Sequence, residues 1–74
     1  SPLEKFTIEE IKSEINALSE GYRVVLNLHL LEGMDHDEIG QILQIKPVTS
    51  RSQYMRGKQK LAMNLKEKYH ARQA

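Results

Sequence analysis

A chain of 74 residues is enough for one small domain, near the size at which a single core only just overcomes chain entropy. It contains no cysteine, which excludes a disulfide framework and a thiolate metal site and suits a reducing, cytoplasmic setting. The formal net charge of +1 hides two opposed halves: residues 1–46 carry four basic and nine acidic side chains, residues 47–74 seven basic and one acidic.

Taken in chain order, residues 1–6 hold a proline and no periodicity, and are expected to be a linker remnant before a domain at 7–70 and a short tail at 71–74. The first residue is not Met, so the chain is expected to be a fragment of something longer, and nothing at its start has the order of a signal peptide. Thr7 and Glu10 have the spacing of a capping box, and Ile8, Ile11, Ile15 and Leu18 fall on one stripe, which predicts a first helix over 8–18. Ser19 can cap the next helix, over 20–32, which is apolar on nearly every side through Tyr22, Val24, Val25, Leu26, Leu28, Leu30 and Leu31. Gly33 is placed to end it. The longest apolar stretch, 24–31, is broken by Asn27 and His29 and is too short to span a bilayer, so no membrane partner is expected.

Asp35 and Glu38 repeat the capping-box pattern ahead of a third helix whose buried stripe is predicted as Ile39, Ile42 and Leu43. Residues 43–46 form the turn, with Ile45 plugging the corner, and Pro47 suits a first helical position because its missing N–H has no partner to lose there. A fourth helix follows over about 47–68, with Ser50, Tyr54, Gly57, Leu61 and Leu65 inward and Arg51, Ser52, Met55, Arg56 and Gln59 outward. Aromatic residues are only 5%, and apolar spacings of three and four dominate, so no strand is placed. The expected fold is all-α: a small four-helix domain containing a helix-turn-helix with a long C-terminal recognition helix.

That motif couples fold to mechanism, because its first helix and turn brace the second, whose early side chains can enter a DNA major groove. Arg pairs two donors with guanine, Gln can pair with adenine, and an apolar side chain can touch a thymine methyl. The candidate readers are therefore Arg51, Ser52, Gln53, Met55 and Arg56, while Lys58, Lys60, Lys66 and Lys68 are placed for phosphates or plain solvation. His29 is expected to be a packed or boundary residue, His36 sits in the first turn of a capped helix, and His70 lies in a tail expected to fray. No metal-ligand spacing, Gly-rich phosphate loop or nucleophile elbow occurs, so the expectation is no enzyme, no metal and no cofactor.

The motifs resemble a known family, the fourth region of bacterial sigma-70 factors of the extracytoplasmic-function type. The likeness is carried by Ala17 and Leu18, the run Gly21, Tyr22, Arg23, Val24, Val25, Leu26, then Leu28, Leu31, Glu32 and Gly33. It continues through Glu38, Ile39, Ile42, Leu43, Ile45, Thr49, Ser52, Arg56, Lys60 and Leu61. The resemblance implies a DNA-binding, winged-helix-like domain that recognises the −35 promoter element at the C-terminal end of an alternative sigma factor. It implies docking on the β flap of core RNA polymerase, and in many cases capture by an anti-sigma factor. It places DNA contacts on Arg51, Ser52, Met55 and Arg56, with Thr49, Gln53, Gln59 and Lys60 around them. The chain departs from the family pattern at Ser19 in place of Pro, Gln44 in place of the turn Gly, Lys46 in place of a Ser cap, Ser50 in place of an apolar residue and Gln53 in place of a basic one.

Two other readings compete. The effector domain of a response regulator or quorum-sensing regulator is also a four-helix helix-turn-helix unit, but its Leu-Thr-x-Arg-Glu signature meets Leu18, Ser19, Glu20, Gly21, Tyr22 and Arg23 here. The domain could instead be a protein-interaction module docking on polymerase or on an anti-sigma factor.

Overall fold

A computed structural model describes residues 2–73. A 3-10 turn, Pro2–Lys5, leads into α1 (Ile8–Asn16) and α2 (Glu20–Leu26), which runs on into a π-helical turn (Asn27–Leu31). Then come α3 (His36–Leu43) and α4 (Pro47–Gln73), with no strand among the described residues. The fold is all-α, as the periodicity predicts.

Both capping boxes form. The Thr7 hydroxyl accepts from the Glu10 N–H at 3.1 Å while the Glu10 carboxylate accepts from the Thr7 N–H at 3.0 Å. Asp35 and Glu38 do the same at 2.8 and 3.0 Å. Ser19 sits at the start of α2 but its side chain makes no capping bond; its carbonyl accepts from the Arg23 N–H at 2.9 Å.

The second predicted helix, 20–32, is not uniformly α. At its end the Glu32 N–H bonds the Asn27 carbonyl, five residues back, at 3.1 Å, and the Met34 N–H reaches the Leu28 carbonyl at 3.0 Å across Gly33, whose φ is 72°. The widened turn rotates its last side chains outward. Leu30 and Leu31 are therefore 46% and 43% exposed rather than packed in a central helix.

The main core contains Phe6, Ile15, Leu18, Leu26, Leu61 and Leu65, with Ile11, Tyr22, Tyr54 and Tyr69 packed against it. Phe6, which the sequence assigns to a linker remnant, is 8% exposed and belongs to this core. Arg72 lies over its ring, 4.8 Å from the centroid. The helix predicted to stop near 68, with a tail from 71, continues to Gln73 because α1 offers it carboxylates: Lys68 pairs with Glu14 at 3.2 Å and Arg72 with Glu10. α1 meets α4 through Ile11, Ile15 and these two acids, which leaves Ile8 at its outer edge and 61% exposed. At about 1.5 Å per residue, α4 alone accounts for most of the 44 Å long axis, against 19 and 18 Å across.

Candidate nucleic-acid interface

The interface is built from the turn upward. Gln44 closes α3 in the left-handed region, at φ 57° and ψ 47°, and the N–H groups of Gln44 and Ile45 both donate to the Gly40 carbonyl, the second at 3.0 Å. An L-residue in this conformation costs about 1–2 kcal/mol relative to glycine. The turn stays tight because Gly40 has no side chain: a Cβ there would lie 2.7 Å from the Ile45 carbonyl oxygen. Sequence reasoning placed the turn correctly at 43–46 but missed Gly40. Its signal was a glycine inside a capped helix, where only close approach justifies the lost helix propensity.

Close approach by the turn also decides which side of α3 is covered. The buried arc runs through Ile39, Gly40 and Leu43, so Ile42, predicted as part of the stripe, is 55% exposed. Leu43 and Ile45 are half-buried rather than sealed, and line an open groove with Val24, Val25, Thr49 and Gln53.

On α4, Ser50 and Gly57 are buried and Tyr54 half-buried on the inward side. A Cβ on Gly57 would approach the Tyr22 Cβ to 2.9 Å, so this glycine lets α2 and α4 touch. Thr49, Arg51, Met55, Arg56, Gln59 and Lys60 are exposed. Ser52 is half-buried. Gln53 is half-buried as well, its side chain against Gly21 of α2, so it stands apart from the outward stripe.

The cations of α4 divide along the helix. Among the described residues Arg51, Arg56 and Lys60 make no ion pair, and Lys58 lies 5.6 Å from the centroid of the Tyr54 ring. Lys68 and Arg72 are held by the acids of α1. Lys68 is therefore neither plainly solvated nor free for a phosphate, as its sequence position suggested. The free positive charge is concentrated in the first half of α4.

His29 and His36 are packed, as expected of His29, but in an arrangement the sequence did not disclose, while His70 is exposed on α4. The rings of His29 and His36 stack at 4.5 Å with 13° between their planes, and Tyr54 meets His29 edge-on at 4.5 Å. His36 Nδ1 is hydrogen-bonded to the Ser50 hydroxyl at 2.8 Å, which supplies the buried Ser50 with a polar partner and explains a polar residue at an inward position. The His36 imidazole is held below its ordinary value of 6.5, chiefly by burial, then by the neighbouring His29 and Arg51; Asp35 and Asp37 oppose the shift. Near-parallel rings aim their in-plane lone pairs side by side rather than at one point, so the pair does not converge on an ion. No group of three potential metal ligands occurs among the described residues.

From residue 8 to residue 61 the chain matches the family described as sigma-70, region 4. It belongs to that family, whose members are promoter DNA-binding domains of sigma factors and not catalysts, and the helix-turn-helix on α3 and α4 is the structural counterpart of that assignment. No curated protein and no solved structure matches the chain closely enough to count as a relative. The family match ends at Leu61, the first leucine of α4 in the main core. No helix among the described residues is long and apolar enough to cross a membrane.

Proposed function

We propose that this domain recognises the −35 promoter element as the C-terminal part of an alternative sigma factor of the extracytoplasmic-function type, directing RNA polymerase to initiate. The observation that carries the reading is the coincidence of an exposed stripe with unpaired charge. Arg51, Met55, Arg56 and Gln59 lie open on the helix that the turn presents, flanked by Thr49, Lys60 and the half-buried Ser52. Arg51 and Arg56 are separated by about 7.5 Å of helix rise, close enough to address neighbouring base pairs. In this reading they face base edges, Met55 meets a thymine methyl, and Thr49, Ser52, Gln59 and Lys60 take phosphates or adjoining edges. Gln53 is left out of the reading face, since its side chain rests on α2.

Core polymerase, through its β flap, and an anti-sigma factor are the proposed protein partners. The apolar side chains left open at Leu30, Leu31 and Ile42 supply surface of the kind such partners cover. Binding of duplex DNA measured against salt tests the DNA reading: each phosphate neutralised contributes about −0.9 to the slope of log K against log salt. A flat response, or a steep one unchanged by Arg51→Ala and Arg56→Ala, overturns it.

A further inference from the structure

The imidazole pair lies where the helix-turn-helix is joined to the rest of the domain. His29 comes from the π-helical turn, His36 is the first residue of α3, and Ser50 and Tyr54 stand one turn apart on α4. Three contacts tie these three elements together, the ring stack at 4.5 Å, the edge contact of Tyr54 with His29 at 4.5 Å and the hydrogen bond of 2.8 Å between His36 and Ser50, and His29 Nδ1 is also bonded at 2.8 Å to the Met34 carbonyl in the connection before α3. The main core lies farther along α4, at Leu61 and Leu65, so the segment bearing Arg51 and Arg56 is seated by this cluster together with the close approach of α2 at Gly57.

A carbonyl oxygen only accepts, so neutral His29 carries its proton on Nδ1 and leaves Nε2 free to take a second. His36 can be protonated without losing Ser50, whose hydroxyl can accept as well as donate. Neither hydrogen bond therefore resists acid. What resists is the stack, because two imidazolium rings 4.5 Å apart are like charges in partial burial.

We propose that the stacked pair of His29 and His36 positions the recognition helix and holds its first turns only while at least one ring is neutral, so that mild acid loosens the DNA-reading segment. This deepens the promoter-binding reading and rests on it for the identity of the reading helix. The groups facing His36 act in opposite senses with a net lowering: burial first, then His29 from the π-helical turn and Arg51 from α4, oppose its proton, while Asp35 and Asp37 at the start of α3 favour it and offset them only in part. With the folded value below the unfolded one, the unfolded chain takes the proton first. Stability is complete above about 6.5 and declines as pH falls through that value.

The test is amide hydrogen exchange of the 74-residue chain at pH 7.5 and 5.5, corrected for intrinsic rates, in the wild type and in His36→Asn, His29→Asn and His70→Asn. Each Asn at 29 or 36 retains a donor or acceptor near the position of Nδ1 and removes the titration. In the wild type and in His70→Asn, protection over 50–56 should fall with acid relative to 61–65, by up to about tenfold, since pH 5.5 lies one unit below the free imidazole value. His36→Asn should lose that difference, and His29→Asn should show a smaller one, because burial and Arg51 still oppose the His36 proton there. Should His36→Asn fail to fold, His29→Asn alone decides, since it removes the like charge and leaves Ser50 satisfied. An acid response of equal size in His29→Asn and the wild type, or none in the wild type, overturns the proposal. Exchange involves no DNA, so failure to bind duplex at either pH would sink the promoter reading and leave the seat intact.

Discussion

The two halves of α4 have similar chemistry and opposite fates. Residues 47–60 carry Arg51, Arg56, Lys58 and Lys60, and residues 61–73 carry Lys66, Lys68 and Arg72, on one uninterrupted helix. In the first half the inward positions are Ser50, Tyr54 and Gly57, small or polar residues that let α2 and α3 come close, and the cations remain free. In the second half the inward positions are Leu61 and Leu65, buried against α1, α2 and Phe6, and two of the three cations are bound by Glu10 and Glu14. One half is an exposed basic surface, the reading surface of the proposed function; the other is an anchor held by apolar burial. Charge on a helix is thus left open to a partner only where no acid on a neighbouring element claims it.

Breaking the anchor should have the largest effect. Leu65→Ala removes a side chain 2% exposed in the main core, and large-to-small changes of this type cost about 2–5 kcal/mol. In a domain this small, thermal melting followed by circular dichroism should show most of the stability gone; a near-normal melt would show the second half of α4 to be dispensable.

Next comes the joint at the reading end. Gly40→Ala forces a Cβ to within 2.7 Å of a backbone carbonyl, which has no flexible end to move aside, so a cost of about 1–3 kcal/mol is expected from overpacking. Its signature should be loss of DNA binding at temperatures where the helices remain formed. If Gly40→Ala binds DNA normally, the tight turn is not what presents α4.

Smaller in stability but direct in function, Arg51→Ala and Arg56→Ala should each leave melting unchanged. At least one should weaken cognate binding by about 1–3 kcal/mol and narrow the gap between cognate and scrambled duplex. Lys68→Ala supplies the contrast from the other half. Its half-buried, solvent-screened pair with Glu14 stabilises by about 1 kcal/mol, and its removal should change binding to both duplexes little. If Lys68→Ala costs as much DNA affinity as Arg56→Ala, the division of the helix into reader and anchor fails.

The smallest expected change is a gain. Gln44→Gly relieves a left-handed residue at φ 57° and should raise stability by up to about 1 kcal/mol, reduced by the extra freedom glycine gives the unfolded chain. A melt unchanged or lowered would mean that the entropy term cancels the strain.

The sequence by itself determined what is local. Helix starts at Thr7, Asp35 and Pro47, the stop at Gly33 and the turn at 43–46 each follow from side chains within one turn of the backbone groups they satisfy, so spacing alone reveals them. The inward series Ser50, Tyr54, Gly57, Leu61 and Leu65 was legible for the same reason, since a period of 3.6 fixes which residues share a face. Only the tertiary structure decided which faces would be covered and which charges used. Ile42 and Leu30 are exposed, Phe6 is buried, Lys68 is spent on α1, and His29 and His36 meet Tyr54 because of how distant segments approach one another, and an apolar or charged residue type does not say what will lie opposite it. That approach is set by backbone proximity at Gly40 and Gly57, where the decisive property is an absent side chain, which hydrophobic patterning does not register.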